Sequence, residues 1–120
     1  MQTVTPMVLS GSTNGLPIPV AATATPGTLI HTAVATATGN EVDEVWLTVA
    51  NVTGTAALLT LEWGGVADPA SHAMKQLSIP ANSPQVEIMT GHRLRNALVI
   101  RAFSPTANAL NIMGHVNRYQ

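Results

Sequence analysis

Apolar and polar residues alternate along much of this chain, and a period of two residues is typical of β-strands with one buried face. Residues 45–49 and 59–63 each place three large apolar side chains on one face. Residues 51–55 (NVTGT) separate the two runs and contain turn-forming residues. The pattern therefore predicts two neighbouring strands joined as a hairpin.

Six further runs extend the pattern and predict strands at residues 16–21, 28–34, 74–79, 85–90, 97–103 and 109–117. Thr, Val and Ile dominate, and their branched side chains favour strands over helices. Glycine and proline recur too often along the chain for long helices. About eight short strands at regular spacing indicate an all-β fold, an antiparallel β-sandwich. An eight-stranded jelly roll is our first choice, and strand number alone leaves an immunoglobulin-like sandwich open.

Residues 1–15 lack this periodicity and end in a run of small polar residues and glycine, SGSTNG. We expect them to form an extended N-terminal arm, which either becomes ordered on a neighbouring chain or stays frayed. Residues 16–120 then form a single β-sandwich domain. Pro17 and Pro19 interrupt the first predicted strand. Because proline within sheets is confined mainly to edges, this strand should lie at a sheet edge or continue the arm.

Charge is almost absent from the first third of the chain. The first forty residues contain no Lys, Arg, Asp or Glu, and Glu41 is the first charged residue. A soluble monomer normally spreads charge over its surface, so this stretch indicates a surface that faces another protein chain. The interpretation rests mainly on residues 1–27, because residues 28–34 read as a core strand. The net charge of −1 gives no support for nucleic acid or a membrane as the partner.

The residues that carry chemistry form no recognisable constellation. The chain has no cysteine, and its four histidines (His31, His72, His92 and His115) have no metal-clamp spacing, although strand pairing could still bring His31 near His115. The run GSTNG at residues 11–15 is not a nucleophile elbow. Asp43 and Glu44 are adjacent, so they point to opposite faces of a strand and do not form a catalytic pair. We therefore predict no enzyme activity, no catalytic residue, no cofactor and no metal.

One basic cluster and two tryptophans are the remaining candidates for contact with a partner. Arg93 and Arg95 lie in the run GHRLRN, where they either pair with acidic groups of a partner or solvate a turn. Trp46 and Trp63 read as core or subunit-interface residues rather than ligand platforms. The candidate partner-binding residues are therefore Arg93, Arg95, Trp46, Pro17 and Pro19.

Several stretches of the sequence resemble a group of small virion structural proteins of tailed bacteriophages. They are residues 9–33 (LSGSTNGLPIPVAATATPGTLIHTA), 45–53 (VWLTVANVT), 59–65 (LTLEWGG), 79–83 (IPANS) and 94–118 (LRNALVIRAFSPTANALNIMGHVNR). None of these stretches is a catalytic motif. The likeness is one of strands and turns that together cover most of the chain.

The resemblance implies a head decoration, or cement, protein with a β-sandwich fold. It implies self-association, typically as a homotrimer, and docking on the major capsid protein at the exterior of the virion. The start of the chain lacks the pattern of a secretory signal, so we expect synthesis in the host cytoplasm. Two alternatives stay open: a tail, collar, baseplate or head-fibre base component, and a carbohydrate- or ligand-binding β-sandwich module. The family offers no site motif, so no functional residue is carried over.

Overall fold

Nine β-strands make up the regular structure of residues 2–120, the part of the chain that the computed structural model describes. They are β1 (Val4–Val8), β2 (Ile18–Pro19), β3 (Thr28–Thr32), β4 (Val42–Asn51), β5 (Ala57–Trp63), β6 (His72–Ile79), β7 (Val86–Leu94), β8 (Val99–Phe103) and β9 (Leu110–Tyr119). These residues include no helix of the length and apolar character needed to cross a membrane.

The strands form two sheets in which every pairing is antiparallel. The first sheet has the order β1-β9-β4-β7, and β2 also pairs with β9. The second sheet has the order β3-β8-β5-β6. The predicted all-β antiparallel sandwich is confirmed.

Alternate side chains from both sheets point inward and form one core. Its central members are almost wholly buried aliphatic residues: Val45, Leu47, Val49, Leu59, Leu61, Ile100, Ile112 and Val116. Fully burying an aliphatic side chain of this size contributes about 1.5–3 kcal/mol. The alternation of the sequence therefore identified the buried face of these strands correctly.

The predicted hairpin between residues 45–49 and 59–63 is wrong. These residues lie in β4 and β5, which belong to different sheets. The buried Asn51 holds the connection across the sandwich: its side-chain amide donates to the carbonyls of Thr55 and Ile79, and its side-chain oxygen accepts from the Thr53 N–H. The apolar faces of β4 and β5 thus oppose each other across the core instead of lying side by side.

The N-terminal residues that we expected to form an extended arm include a strand of the first sheet in the single chain. Met1 lies outside the described residues. Residues 4–8 form β1, which pairs with the end of β9 at an edge of the first sheet. None of the five β1 side chains is buried, whereas Leu9 directly after them is only 1% exposed. Backbone pairing with β9 therefore orders a segment that has no buried apolar face, which is why its sequence carries no strand pattern.

Candidate interaction surface

The outward side of the first sheet collects side chains from four strands in rows, because opposite residues of antiparallel strands point to the same side. From the pairing register, one row is Val8, His115 and Trp46; the next is Pro6, Asn117, Glu44 and Arg93; and the third is Val4, Tyr119 and Val42. We call these three rows the outer face. It brings the predicted residues Trp46 and Arg93 onto one surface.

Trp46 is held in a defined orientation although it is 37% exposed. Its ring lies parallel to that of His115, with 7° between the planes and 5.9 Å between the centroids. Its indole Nε1 donates to Glu44 Oε1 over 3.2 Å. A side chain at Gly91 would begin only 3.0 Å from Trp46 Cζ2, so the glycine leaves the space that the indole occupies. The aromatic surface is therefore ordered before any partner binds.

Glu44 connects Trp46 to Arg93. Its Oε1 also accepts from Asn117 Nδ2, and its Oε2 lies 3.4 Å from Arg93 Nη2. The hydrogen bonds from Trp46 and Asn117, with a smaller contribution from Arg93, hold the pKa of Glu44 below its usual range. Glu44 is thus a carboxylate whose contacts are mostly made within the chain.

A hollow of about 500 Å³ opens next to the third row of the outer face. It is lined by Gln2, Asn40, Val42, Arg93, Arg95 and Tyr119. The guanidinium carbon of Arg93 lies 5.4 Å from the centroid of the Tyr119 ring, a cation–π arrangement. Arg95 Nη1 donates to the carbonyl of Gly39. The two arginines that the sequence singled out therefore line one hollow; we call it the arginine hollow.

The two prolines lie at the opposite end of the same sheet. Pro19 is in β2 and pairs with Asn111 of β9, so the predicted edge position of this segment is confirmed. Asn111 precedes His115 by four residues, which places Pro19 about 13 Å along the strand direction from the row of Trp46. Pro17 is exposed just before β2. Trp46, Arg93 and Pro19 thus lie in strands of one sheet, and Arg95 and Pro17 lie directly next to strand ends. The five predicted residues do not form one compact site.

A buried polar network joins the two sheets beneath this surface. His31 of β3 and Asp43 of β4 are both fully buried, with His31 Nε2 2.7 Å from Asp43 Oδ2. Arg118 donates to both Asp43 oxygens over 2.8 and 2.9 Å. Asp43 points inward and Glu44 outward, so the two side chains lie on opposite faces as the alternation predicted. His31 is paired with Asp43 rather than placed near His115.

The protonation state of this network follows from its hydrogen bonds. The Ser10 N–H donates to His31 Nδ1 over 3.0 Å, so Nδ1 is the acceptor and the proton of the neutral ring lies on Nε2, facing Asp43. Burial lowers the pKa of His31, and Asp43 offsets only part of this effect. Burial alone would raise the pKa of Asp43, but hydrogen bonds from Arg118 and His31 outweigh it and keep the pKa below its usual range.

This arrangement performs a structural task. Both ring nitrogens of His31 are used, and the Ser10 hydroxyl accepts from the Thr32 N–H instead of facing the imidazole. Among residues 2–120, no group of three or more His, Asp or Glu side chains is placed to hold a metal ion. The network holds Ser10 and the two sheets in place relative to one another.

Four residues that lie next to the predicted ones were not predicted from the sequence: Gln2, Asn40, Tyr119 and His115. Each belongs to a segment that contacts the site only through strand pairing or a loop. The alternation of residues 109–117 separates His115 from the apolar face of the strand, but it carries no information on which strand lies next to β9. That pairing is what makes His115 and Trp46 neighbours.

Comparison of the chain with protein-family models, with curated proteins and with solved structures found no match.

Proposed function

We propose that this chain is a non-enzymatic structural protein of a bacteriophage virion, a capsid decoration protein that associates with copies of itself and stabilises the major capsid shell. The sequence resemblance suggests this role, and the outer face of the first sheet is the structural observation that carries it. A protein with this role works by burying surface on its neighbours, so its binding surface should be flat and poor in charge.

The row formed by Val8, His115 and Trp46 has that character. Val8 is 48% exposed, Trp46 is 37% exposed, and neither Val nor Trp carries a charge. Val4 in the third row is also 48% exposed. The solvent face of an antiparallel sheet usually carries polar residues, whereas the buried centre of an interface is enriched in aromatic residues and depleted of charge.

The chemistry of the face also suits repeated contacts. Closed symmetry uses one patch at every equivalent position of an oligomer, and many modest contacts on a shell act together to give high avidity. We propose that copies of the chain, typically three, associate through this face, and that the assembly docks on the major capsid protein at the capsid exterior. The N-terminal arm stays a prediction for the assembled state.

The jelly roll is the finer fold assignment that we propose. It is supported by the strand order, in which β2, β9, β4 and β7 face β3, β8, β5 and β6. From β2 onward, every connection except that from β5 to β6 passes from one sheet to the other. A sandwich of two four-stranded sheets with such crossings is typical of jelly rolls.

Cryo-electron microscopy of virions tests the proposed location. Density for this chain at symmetric positions on the capsid is the expected result, and density only in the tail, collar or baseplate would contradict it. Copy number gives a second reading, because a shell requires many copies and a tail component few. In particles that carry Trp46→Ser, occupancy should fall. Leu29→Ser is the matched control, since Leu29 is 39% exposed and lies on the other sheet.

Glycan binding is the second candidate, and the surroundings of Trp46 are the observation in its favour. A cavity of about 120 Å³ next to the indole is lined by Thr48, Glu87 and His115 among others. A fixed aromatic ring beside hydroxyl, carboxylate and imidazole groups is able to bind a sugar. Binding to a glycan array that is lost in Trp46→Ser would support this candidate, and an array without hits would remove it.

A further inference from the structure

We infer that the arginine hollow binds a carboxylate side chain on an extended segment of a partner protein. The inference rests on the proposed function only for the identity of that partner, the major capsid protein. The binding chemistry follows from the hollow itself.

The hollow holds two guanidinium groups whose hydrogen-bonding capacity is largely unused. A guanidinium has five N–H donors in a fixed planar arrangement that matches a carboxylate. In the described part of the chain, Arg93 donates to Glu44 over a long 3.4 Å contact, and Arg95 donates to the Gly39 carbonyl. The Arg93 side chain is 61% exposed. Each arginine therefore keeps several donors for an anion that enters the hollow.

The position of Arg93 is restrained before binding. Its guanidinium lies over the Tyr119 ring, and its Nη2 also lies 3.4 Å from Glu44 Oε2. A donor fixed in this way loses less conformational freedom when it binds, which favours a specific contact over a solvated surface charge.

The neighbouring surface indicates what carries the carboxylate. A second hollow of about 360 Å³ adjoins the first and is lined by Gln2, Thr38, Asn40, Glu41 and Gln120. Gln2 and Asn40 line both hollows. Primary amides donate and accept hydrogen bonds in the way that a peptide backbone does. An extended peptide can therefore place one acidic side chain between Arg93 and Arg95 while its backbone runs over these amides.

The same surface disfavours a nucleic acid. Glu44 lies 3.4 Å from Arg93 and Glu41 lines the adjoining hollow, and these two negative charges repel a chain of phosphates more than a single carboxylate. Binding to nucleic acid relies on many phosphate contacts at once, whereas this surface offers two cations. A single carboxylate is the anion that the charge pattern fits.

Titration of the purified protein with two blocked peptides, which differ only by Glu or Gln at one position in a glycine-rich context, tests the inference. The readout is the NMR signals of the arginine Nε–H groups and the Tyr119 ring. We expect saturable shifts of the Arg93, Arg95 and Tyr119 signals with the Glu peptide and no saturation with the Gln peptide. Equal shifts with both peptides, or none with either, would overturn the inference. So would saturation by inorganic phosphate at lower concentration than by the Glu peptide.

Variants distinguish specific binding in the arginine hollow from non-specific attraction between the peptide and positive charges elsewhere on the protein. Arg93→Gln and Arg95→Gln should each weaken binding of the Glu peptide by about tenfold, because each removes one charge-assisted contact. Lys75→Gln removes the same charge from β6 of the other sheet and should leave the affinity unchanged. Equal weakening by all three variants would contradict a specific site. Because no capsid is present, failure here is distinct from failure of the capsid role, which the virion density tests.

Discussion

His31 illustrates how a single residue links the sheets, the N-terminal segment and the response to pH. Its Nδ1 accepts from the Ser10 N–H and its Nε2 faces Asp43. Alternation within β4 predicts that Asp43 and Glu44 point to opposite sides, and they do. The partnership of Asp43 with His31 and Arg118 was not predictable, because it joins β4 to one strand in each sheet.

The stability of the protein should fall as the pH is lowered below about 6.5, the ordinary pKa of histidine. The folded state lowers the pKa of His31, so below pH 6.5 the unfolded chain binds a proton that the folded chain does not. One such proton costs at most about 1.4 kcal/mol per pH unit, until the pH reaches the lowered pKa. Asp43, whose pKa is also lowered, adds a loss of the same sign below about pH 4.

Urea denaturation between pH 7.5 and 5 measures this dependence in His31→Gln. The variant keeps a donor towards Asp43 but has no group that titrates there. It should be less stable at neutral pH, and its stability should vary less with pH than that of the natural chain. His115→Gln, the same substitution at an exposed histidine, is the matched control. An unchanged slope in His31→Gln would contradict the assignment of a buried neutral imidazole.

Asn51 is the residue that redirects the chain between the sheets. Asn51→Leu leaves the carbonyls of Thr55 and Ile79 without their donor, and each orphaned buried group costs about 1–3 kcal/mol. We expect a loss in that range or above in the free energy of unfolding. Val52→Ser, at a position that is 56% exposed, should change it by less than about 0.5 kcal/mol. Comparable losses in the two variants would argue against this role for Asn51.

At the scale of elements, the sequence pattern predicts the segments that form β2 to β9, and alternation predicts the buried face of strands such as β4, but neither predicts the strand partners. A period of two residues indicates which side of a strand is apolar. It does not indicate whether the next strand of the chain lies beside that strand or across the core. That is why β4 and β5 were predicted as a hairpin. β1 is not predicted from the sequence for a different reason. It buries none of its side chains, so its sequence does not alternate between apolar and polar residues.

Two truncations distinguish the contribution of β1 to stability from that of the residues that follow it. Removal of residues 2–8 deletes a strand whose hydrogen bonds are nearly offset by the entropy of ordering it, so we expect the fold to persist with a small change in Tm. Removal of residues 2–11 also deletes Leu9 and the contacts of Ser10 with His31 and Thr32. Loss of the buried leucine alone should cost about 2–5 kcal/mol. Thermal unfolding followed by circular dichroism compares them, and equal losses in Tm would contradict the separation.

At the scale of the whole molecule, the sequence correctly predicted a two-sheet antiparallel sandwich. It also selected Trp46 and Arg93, which the strand pairing places on one outer face. The sequence contained no sign of the arginine hollow as a unit, because Gln2, Asn40 and Tyr119 reach it from distant parts of the chain. Of the first 27 residues, from which the sequence analysis inferred a charge-poor surface, only residues of β1 belong to the outer face.

Self-association through the outer face is the central claim. Multi-angle light scattering of the purified chain over a range of concentrations tests it most directly. We predict a species with three times the mass of the 12.5-kDa chain, which Trp46→Ser shifts towards the monomer while Leu29→Ser does not. A monomeric mass at every concentration would contradict it.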